Sequence, residues 1–504
     1  MDRGGQGGAL GEAATGLVFE EPVWLAYPDK ARDVPLGRED VPEGDLAPFV
    51  RRTRLRMPQL SEPELVRHFV RLSQWNYAIE SGFYPLGSCT MKHNPRLHET
   101  IAGLPGFAEL HPEQDDDDVQ GLLRLLKTLE ELLAEITGMD AVSLQPAAGA
   151  HGELVGLLLI RAALDARGER GRTVVLVPDS AHGTNPASAA LAGMEVVEIP
   201  SGPDGRIAME AFLAQVEAVR ERLAALMLTN PNTAGVFEAQ IREICAAVHE
   251  AGGFVYGDGA NLNALVGVAK PGALGIDCLH INVHKTFSTP HGGGGPGAGP
   301  LAVNEALAPF LPTPRIEKIG DRYRIVREDP SSIGPMLGSL GHVGVLLRAL
   351  AYILAHGREH LHRIAEDAVL AANYIAARLK DHYEIPFPLP CKHEVLLTDA
   401  RQRRQGITAL DIAKRLIDYG FHPMTIYFPL IVRGAMLIEP TETESKETLD
   451  RFCDAMIAIA EEVEAGRTEA FKAAPHFAFR TRLDETRAAR KPVLVWPEEE
   501  RWAD

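Results

Sequence analysis

The sequence predicts an α/β fold with a mostly parallel sheet, followed by a smaller α+β domain. Between residues 119 and 301, short apolar runs alternate with amphipathic stretches of helical period, which is typical of a parallel sheet covered by helices on both faces. Small or polar loops follow several of these runs, and the pattern changes after a Pro- and Gly-containing connection at 330–341. The predicted elements are helix 119–136, strand 141–144, helix 153–166, strands 173–177 and 195–199, helix 209–223, strand 225–228, helix 241–251, strands 254–256 and 278–283, and helices 343–356 and 361–379.

These elements predict three parts of the chain. Residues 1–95 are rich in Pro, Gly and charge around one amphipathic piece at 63–77, so they are predicted to form an extended arm that wraps a neighbouring subunit. Residues 96–330 form the large domain, and residues 331–504 form the small domain with a charged tail. The acidic tract 115–118 is predicted to be a solvated helix start, favoured by the helix dipole.

Composition excludes several classes of function. The chain has 504 residues, 45% of them hydrophobic and 24% charged, as in globular proteins. A formal net charge of −18 argues against nucleic-acid and anionic-membrane partners. Five widely spaced cysteines without a C-x-x-C pair indicate a reducing compartment. No leader-like apolar region and no run of eighteen apolar residues occur, so we expect a cytoplasmic protein.

Lys285 and Asp258 carry the strongest chemical indication. Lys285 follows an apolar run, next to His284 and a glycine run, where partial desolvation favours an amine that forms a Schiff base with a carbonyl. Asp258 ends the preceding apolar strand, where a carboxylate can hold the protonated pyridine nitrogen of pyridoxal phosphate. The alternative is a solvated loop lysine and a turn-forming aspartate.

Other candidates follow strands of the same predicted sheet, where ligands bind in such folds. The loop 145–152 combines small residues with a helix start, which suits a phosphate, although a plain βα turn has the same composition. His182 follows the next strand and can stack on a planar cofactor, or it is a surface or capping histidine. The amide of Asn230 can hydrogen-bond a phenolic oxygen, or it belongs to a Pro-Asn turn.

Two motifs do not have the context that their chemistry needs. Residues 292–297 match G-x-G-x-x-G, but they include Pro296 and lead into an apolar segment instead of a helix, so no dinucleotide is expected. His280 and His284 share a face of a predicted strand, but further metal ligands are missing, so we expect no metal.

Six segments together resemble the pyridoxal-phosphate glycine dehydrogenase (decarboxylating) family, the P-protein of the glycine cleavage system. The similarity covers nearly the whole chain and is greatest to the carboxyl-terminal, lysine-bearing half, which split systems carry as subunit 2. A fused P-protein is about twice as long. The segments are PLGSCTMKHNP at 85–95, QPAAGAHG at 145–152, HGTNPA at 182–187, DGANLN at 258–263, HKTF at 284–287 and IEPTE at 438–442.

The resemblance implies a fold-type-I, aminotransferase-like architecture that binds pyridoxal phosphate. By position it makes Lys285 the Schiff-base lysine, Asp258 the partner of the pyridine nitrogen, and His182 the stacking ring. General features of the fold assign the remaining cofactor contacts. These are Ala148, Gly149, Ala150 and His284 for the phosphate, and Asn230 or Asn261 for the phenolic oxygen.

The implied reaction is the decarboxylation of glycine, with transfer of the aminomethyl group to the lipoyl group of H-protein. A small, weakly polar glycine pocket is expected, because an arginine clamp would stabilise the carboxylate more before decarboxylation than during it. Ser88, Cys89 and Thr90 are candidates for the glycine site or the wall of a lipoyl channel; otherwise they belong to a packed arm. The resemblance also implies assembly with a homologous subunit 1, as an α2β2 heterotetramer. The alternatives are another fold-type-I enzyme and a non-catalytic partner subunit.

Overall fold

The structure, a computed structural model, describes residues 48–49, 60–292, 297–478 and 480–494. Contacts divide the chain into two units, Ile79–Lys472 and a second unit that combines Met1–Ala78 with Ala473–Asp504. Most of the predicted arm, residues 1–47 and 50–59, lies outside the described residues, and so do residues 293–296 of the glycine run. None of the described helices combines the length and apolar character needed to cross a membrane.

The helices of the described residues agree in kind with the periodicity of the sequence. The amphipathic piece predicted at 63–77 is helix α1, and the break predicted after residue 356 lies at Gly357, where φ is 64° within one long helix. The helices are α1 Glu62–Trp75, α2 Arg96–Ala102, α3 Pro105–Ala108, α4 Gln120–Thr137, α5 Gly149–Ala166, α6 Thr184–Leu191, α7 Met209–Ala218, α8 Ile241–Glu250, α9 Val283–Thr286, α10 Val343–Leu379, α11 Ala400–Arg403, α12 Ala409–Asp418, α13 Lys446–Glu464, α14 Glu469–Ala473 and α15 Glu485–Arg490.

The strands among the described residues form three sheets. The largest is a seven-stranded sheet in the order β1-β7-β6-β5-β4-β2-β3, in which β7 runs antiparallel to both of its neighbours and the other pairs are parallel. β10, β12 and β11 form a small antiparallel sheet, and β8 and β9 form a hairpin. The strands are β1 Ala141–Ser143, β2 Val174–Pro178, β3 Glu195–Ile199, β4 Leu223–Thr229, β5 Phe254–Asp258, β6 Cys278–His280, β7 Leu301–Val303, β8 Arg315–Ile319, β9 Arg322–Val326, β10 Val395–Thr398, β11 Thr425–Ile426 and β12 Ala435–Ile438.

Burial explains why these strands form. Every residue of β2, β4 and β5 is buried, which agrees with the continuous apolar runs that parallel strands need when helices cover both faces. Two groups of buried apolar side chains pack against this sheet, and a third lies between the small sheet, the second half of α10 and α13. The predicted α/β architecture with a smaller α+β part is therefore confirmed.

Two predicted boundaries are wrong and one helix was missed, in ways that matter for the site. The helix predicted from residue 153 begins at Gly149, and a helix not predicted, α6, follows His182 directly. The strand predicted to reach residue 283 ends at His280, because the Asn282 carbonyl accepts from Lys285 and Thr286 N–H and starts the single turn of α9. Hydrophobic periodicity did not predict these helix starts, because the segments that cap or begin the helices do not follow the apolar pattern.

The acidic tract 115–118 is also different from its prediction. It forms turns before α4 begins at Gln120, and it binds the β8–β9 hairpin. Arg324 Nη1 lies 2.9 Å from Asp117 Oδ1, and Ile325 N–H donates to Asp116 Oδ2 at 3.1 Å. The tract is therefore a set of partners for a basic strand, and not a helix start.

Gly259, directly after Asp258, allows a close approach of two chain segments. A Cβ at this position would lie 1.7 Å from the His280 carbonyl oxygen, which is main chain and cannot rotate away. We expect Gly259→Ala to destabilise the protein by about 3 kcal/mol or more, because the segment that carries Asp258 would have to move. The thermal unfolding midpoint measures this.

Gly121→Ala is the matched control for Gly259→Ala. Gly121 lies in α4 with no atom within 4 Å of the added Cβ, so the same change should stabilise the protein by about 0.5–1 kcal/mol. Equal midpoints for the two variants would contradict the close approach.

Candidate active site

A cavity of about 220 Å³ lies at the carboxyl edge of the seven-stranded sheet. The ends of β4 and β5 and the segment after β6 reach it, together with the amino-terminal turns of α5 and α6. Its lining residues are Ser88, Gly149, Ala150, Glu153, His182, Thr184, Thr229, Thr233, Asp258, Ala260, Asn261, His280, Asn282, His284 and Lys285. Parallel strands thus bring the two chemically strongest candidates, Lys285 and Asp258, to one cavity, as predicted.

Lys285 lies on α9 and reaches into the cavity. Its Nζ donates a hydrogen bond to the carbonyl oxygen of Ser88 at 2.8 Å. Its neighbour His284 packs edge-on against His291, with ring centroids 4.9 Å apart. Burial, together with His291 and Lys285, lowers the pKa of His284 to about 3, so that ring is neutral. His284 therefore adds no positive charge beside the lysine amine.

Asp258 is buried at the end of β5 and keeps its negative charge. One oxygen accepts from Ala260 N–H at 2.9 Å and the other from Asn185 Nδ2 at 3.1 Å. Burial alone would raise the pKa of Asp258, but His280, the Ala260 amide and Asn185 outweigh it, and the pKa lies below its usual value. The cavity thus contains a fixed carboxylate beside a lysine.

Two buried side chains, Tyr256 and His280, lie behind Asp258. Burial raises the pKa of Tyr256 well above its usual value, so its hydroxyl keeps its proton, and it shares a hydrogen bond with His280 Nδ1, 2.5 Å away. The other ring nitrogen, Nε2, lies 3.4 Å from Asp258 Oδ1. His280, considered above only as a metal ligand, therefore lies between Tyr256 and the carboxylate of Asp258.

The amino terminus of α5 forms the end of the cavity that suits a phosphate group. Ala148 is its N-cap residue, and Gly149 and Ala150 are the first residues of an 18-residue helix, whose first N–H groups have no partner within the helix. A Cβ on Gly149 would lie 2.0 Å from Asn282 Oδ1, so only glycine fits there. Gly149 and Ala150 line the cavity.

The structure separates the remaining predicted contacts. His182 lines the cavity with an exposed ring, and its Nδ1 lies 2.9 Å from Thr184 Oγ1. Asn261 also lines the cavity, but its Nδ2 donates to the Pro231 carbonyl at 2.8 Å. Asn230 is not a lining residue, because its side chain turns to accept from Glu238 N–H at 2.9 Å. Of the two asparagines, only Asn261 is placed to meet a ligand.

Ser88, Cys89 and Thr90 have different positions. Ser88 lines the cavity, whereas Cys89 and Thr90 do not. Thr90 is fully buried against Glu439, and burial raises the pKa of the Cys89 thiol to about 11. Cys89 is therefore a protonated thiol rather than a nucleophile.

Several lining residues were not predicted. Glu153 is buried and accepts from Thr184 Oγ1 at 2.8 Å and Ser188 Oγ at 3.0 Å, so it joins α5 to α6. Thr229 ends β4, and its Oγ1 is buried without a hydrogen-bond partner among the described residues. The position of Thr229 after an apolar run was a usable signal, whereas nothing local distinguished Glu153 from an ordinary helix glutamate.

These features fit pyridoxal phosphate. The cavity offers an amine for its carbonyl, a fixed carboxylate for its ring nitrogen, a helix amino terminus for its phosphate and an unpaired hydroxyl on Thr229. Gly149 leaves the space that a side chain would fill.

Comparisons with known proteins agree with this geometry. Two family models match the sequence, "Glycine cleavage system P-protein" over residues 37–320 and "Glycine dehydrogenase, C-terminal domain" over residues 364–476. A protein of Alkaliphilus oremlandii (strain OhILAs), named probable glycine dehydrogenase (decarboxylating) subunit 2, is 52% identical over 452 residues, which cover 90% of this chain and 92% of the relative. A protein of Caulobacter vibrioides with the same name is 54% identical over 462 residues, covering 90% and 87%.

Solved structures share the fold. A glycine decarboxylase (P-protein) of the glycine cleavage system, in inhibitor-bound form, has a TM-score of 0.68 at 22% identity and covers 83% of this chain and 93% of its own. A sphingosine-1-phosphate lyase of Burkholderia pseudomallei has a TM-score of 0.59 at 16% identity, covering 86% and 97%. The architecture is that of fold-type-I pyridoxal-phosphate enzymes.

Proposed function

The chain belongs to the glycine cleavage system P-protein family, and from this membership we propose that it is the cofactor-bearing subunit 2, which decarboxylates glycine and passes the aminomethyl group to the lipoyl group of H-protein. The observation that carries the proposal is the meeting of Lys285 and Asp258 at one cavity, each on its own element of the sheet's carboxyl edge. A lysine and an aspartate with unrelated roles would not be expected to line the same cavity.

Pyridoxal phosphate, when bound, supplies a carbonyl for an amine and a ring that accepts the electrons released by decarboxylation. The residues of this chain hold it and set its protonation. Asp258 keeps a proton on the ring nitrogen, because a fixed negative charge stabilises the protonated form. The amino terminus of α5 binds the phosphate. Lys285, whose Nζ reaches the cavity, would hold the carbonyl end of the cofactor through its amine.

The lining of the cavity supports decarboxylation. No arginine is among the described residues that line it, and Lys285 is its one cationic side chain. A glycine carboxylate there is not held by a bidentate ion pair, so its loss is not opposed by tight binding of the reactant. His182 lines the cavity directly before α6, and we assign it the stacking contact with the ring.

The partners follow from the names of the relatives. Proteins that are 52% and 54% identical are called subunit 2, which supports a complex with a homologous subunit 1, as an α2β2 assembly. The division into a large domain at 96–330 and a small domain at 331–504 is supported by the separate buried cores on either side of α10. H-protein as acceptor and a cytoplasmic location complete the proposal.

Exchange of labelled bicarbonate into the carboxyl group of glycine tests the function. We expect exchange that requires glycine, added pyridoxal phosphate and lipoylated H-protein, and that increases when subunit 1 is added. A desulfurase or another amino-acid decarboxylase would give no such exchange. A non-catalytic subunit would bind no cofactor, which the absorbance spectrum of the purified chain shows. Full exchange by the chain alone, unchanged by subunit 1, would contradict the proposed assembly.

A further inference from the structure

Two fully buried glutamates lie side by side next to the cavity. Glu394 directly precedes β10 and Glu439 directly follows β12. These strands are antiparallel, with Val395 opposite Ile438, so the register places the two carboxyl groups together. Both residues are 0% exposed. Two acidic side chains without solvent need hydrogen-bond donors, and the donors come from elsewhere in the chain.

The donors belong to a turn at residues 88–90. Ser88 N–H donates to Glu394 Oε2 at 2.9 Å. Thr90 donates twice to Glu439, through its N–H at 2.9 Å and through Oγ1 at 2.5 Å. Ser88 and Thr90 both have left-handed backbone, with φ of 62° and 50°, which residues other than glycine adopt only when their surroundings impose it. Here the hydrogen bonds to Glu394 and Glu439 hold the two residues in this conformation.

Residues 88–94, which we call the strap, bind Lys285 and the main chain that follows it. The Ser88 carbonyl accepts from Lys285 Nζ at 2.8 Å, and the buried Lys92 Nζ donates to the Thr286 carbonyl at 2.9 Å. Asn94 Nδ2 donates to the Ser288 carbonyl at 2.8 Å. The strap therefore fixes both the amine of Lys285 and the main chain that follows it.

Glu394 works as a neutral acceptor. Burial, and then the neighbouring Glu439, raise the pKa of Glu394 well above its usual value. Burial also lowers the pKa of His393, which directly precedes Glu394, so its ring offers no positive charge to compensate the glutamates. Lys285 and Lys92 are the cations facing this group, and each is engaged with the strap or with Glu442. What Glu394 supplies is a hydrogen-bond acceptor for Ser88, not an ion pair.

We propose that Glu394 and Glu439 are positioning residues for Lys285: they hold Ser88 and Thr90 in left-handed backbone, so that the Ser88 carbonyl fixes the lysine amine at the cavity. The proposal rests on the proposed function only for the role that Lys285 has in the reaction. It assigns the strap an intramolecular task, in addition to any contact with subunit 1.

Acetic anhydride labelling of the cofactor-free full-length chain, read at each lysine by peptide mass spectrometry, tests this proposal without turnover. Glu394→Met keeps the length of the side chain and removes the acceptor, so labelling of Lys285 should rise about tenfold, as expected when a hydrogen bond to a charged group is released. Glu394→Gln should restore the native rate, because its amide oxygen accepts from Ser88 N–H. The exposed Lys270 serves as the internal reference.

Two further variants separate positioning from general loosening. Glu462→Gln removes an ion pair with Arg415 elsewhere in the small domain and should leave Lys285 labelling unchanged. Ser88→Gly keeps the carbonyl and accepts the left-handed backbone, so labelling should stay at the native rate, whereas Ser88→Val should raise it. The Ser88 pair decides the question if Glu394→Met does not fold.

Native labelling of Lys285 in Glu394→Met, or in Ser88→Val, would overturn the proposal. An equal rise in Glu462→Gln would also overturn it, since the effect would then come from destabilisation alone. Failure of bicarbonate exchange with the labelling pattern intact would count against the proposed function and leave the positioning role standing.

Discussion

Lys285→Ala is expected to lose exchange activity by at least about a thousandfold while still binding pyridoxal phosphate without a covalent bond. The amine is the one cationic group of α9, and no other lysine lines the cavity among the described residues, so no neighbour can replace it. The residues proposed to contact the phosphate and the ring are the amino terminus of α5, Asp258 and His182, and the substitution does not touch them. Borohydride reduction followed by peptide mass spectrometry should find cofactor attached to Lys285 in the native chain and none in the variant.

Lys270→Ala provides the control for Lys285→Ala. Lys270 is a half-exposed lysine that pairs with Glu135 at 2.7 Å, away from the cavity. Its loss should leave activity and cofactor attachment unchanged. A Lys285→Ala variant with more than a small residual rate would remove Lys285 from the mechanism.

Asp258→Asn is expected to lower the exchange rate by several orders of magnitude, with a modest loss of cofactor affinity. The substitution keeps the shape and removes the charge that stabilises a protonated ring nitrogen, and a neutral ring accepts electrons poorly. The lowered pKa of Asp258 means that the native carboxylate is charged at every pH at which the enzyme is assayed, so acid does not imitate the variant. Rates are measured per cofactor bound, which separates chemistry from loading.

Asp277→Asn is the control for Asp258→Asn, because it makes the same substitution at another buried aspartate. Asp277 precedes β6, whereas Asp258 ends β5, so Asp277 lies at the other edge of the same sheet, where it binds His249 and the Val255 N–H. That variant should lose stability but keep its rate per bound cofactor. Near-normal turnover in Asp258→Asn would mean that another group holds the ring nitrogen.

The sequence predicts the parts of this site that depend on local order. Strand Glu195–Ile199 has the predicted bounds, and the parallel arrangement is enough to bring Asp258 and Lys285 to one edge of the sheet. Alternating apolar runs specify strands and their connections, and the fold then fixes where their carboxyl ends lie.

The parts that the sequence could not predict depend on distant pairing or on short polar helix starts. The partners of Ser88 are Glu394 and Lys285, and no periodic pattern links positions so far apart. The turn α9 is too short to show a helical period, so Lys285 was expected on a strand-to-loop junction. Asn230 was chosen for its place after β4, but its side chain turns toward Glu238, while Thr229 reaches the cavity.

The strap has a consequence for the order in which the protein matures. Its hydrogen bonds to Lys285, Glu394 and Glu439 span 197, 306 and 349 residues of chain. During synthesis, Lys285 therefore emerges from the ribosome long before Glu439 has been made. The turn at residues 88–90, whose Ser88 carbonyl accepts from the lysine amine, lacks its glutamate partners until the last third of the polypeptide is synthesised. Contacts of such long range close late. A nascent or truncated chain that ends before Glu394 therefore carries Lys285 without the two glutamates that hold the strap.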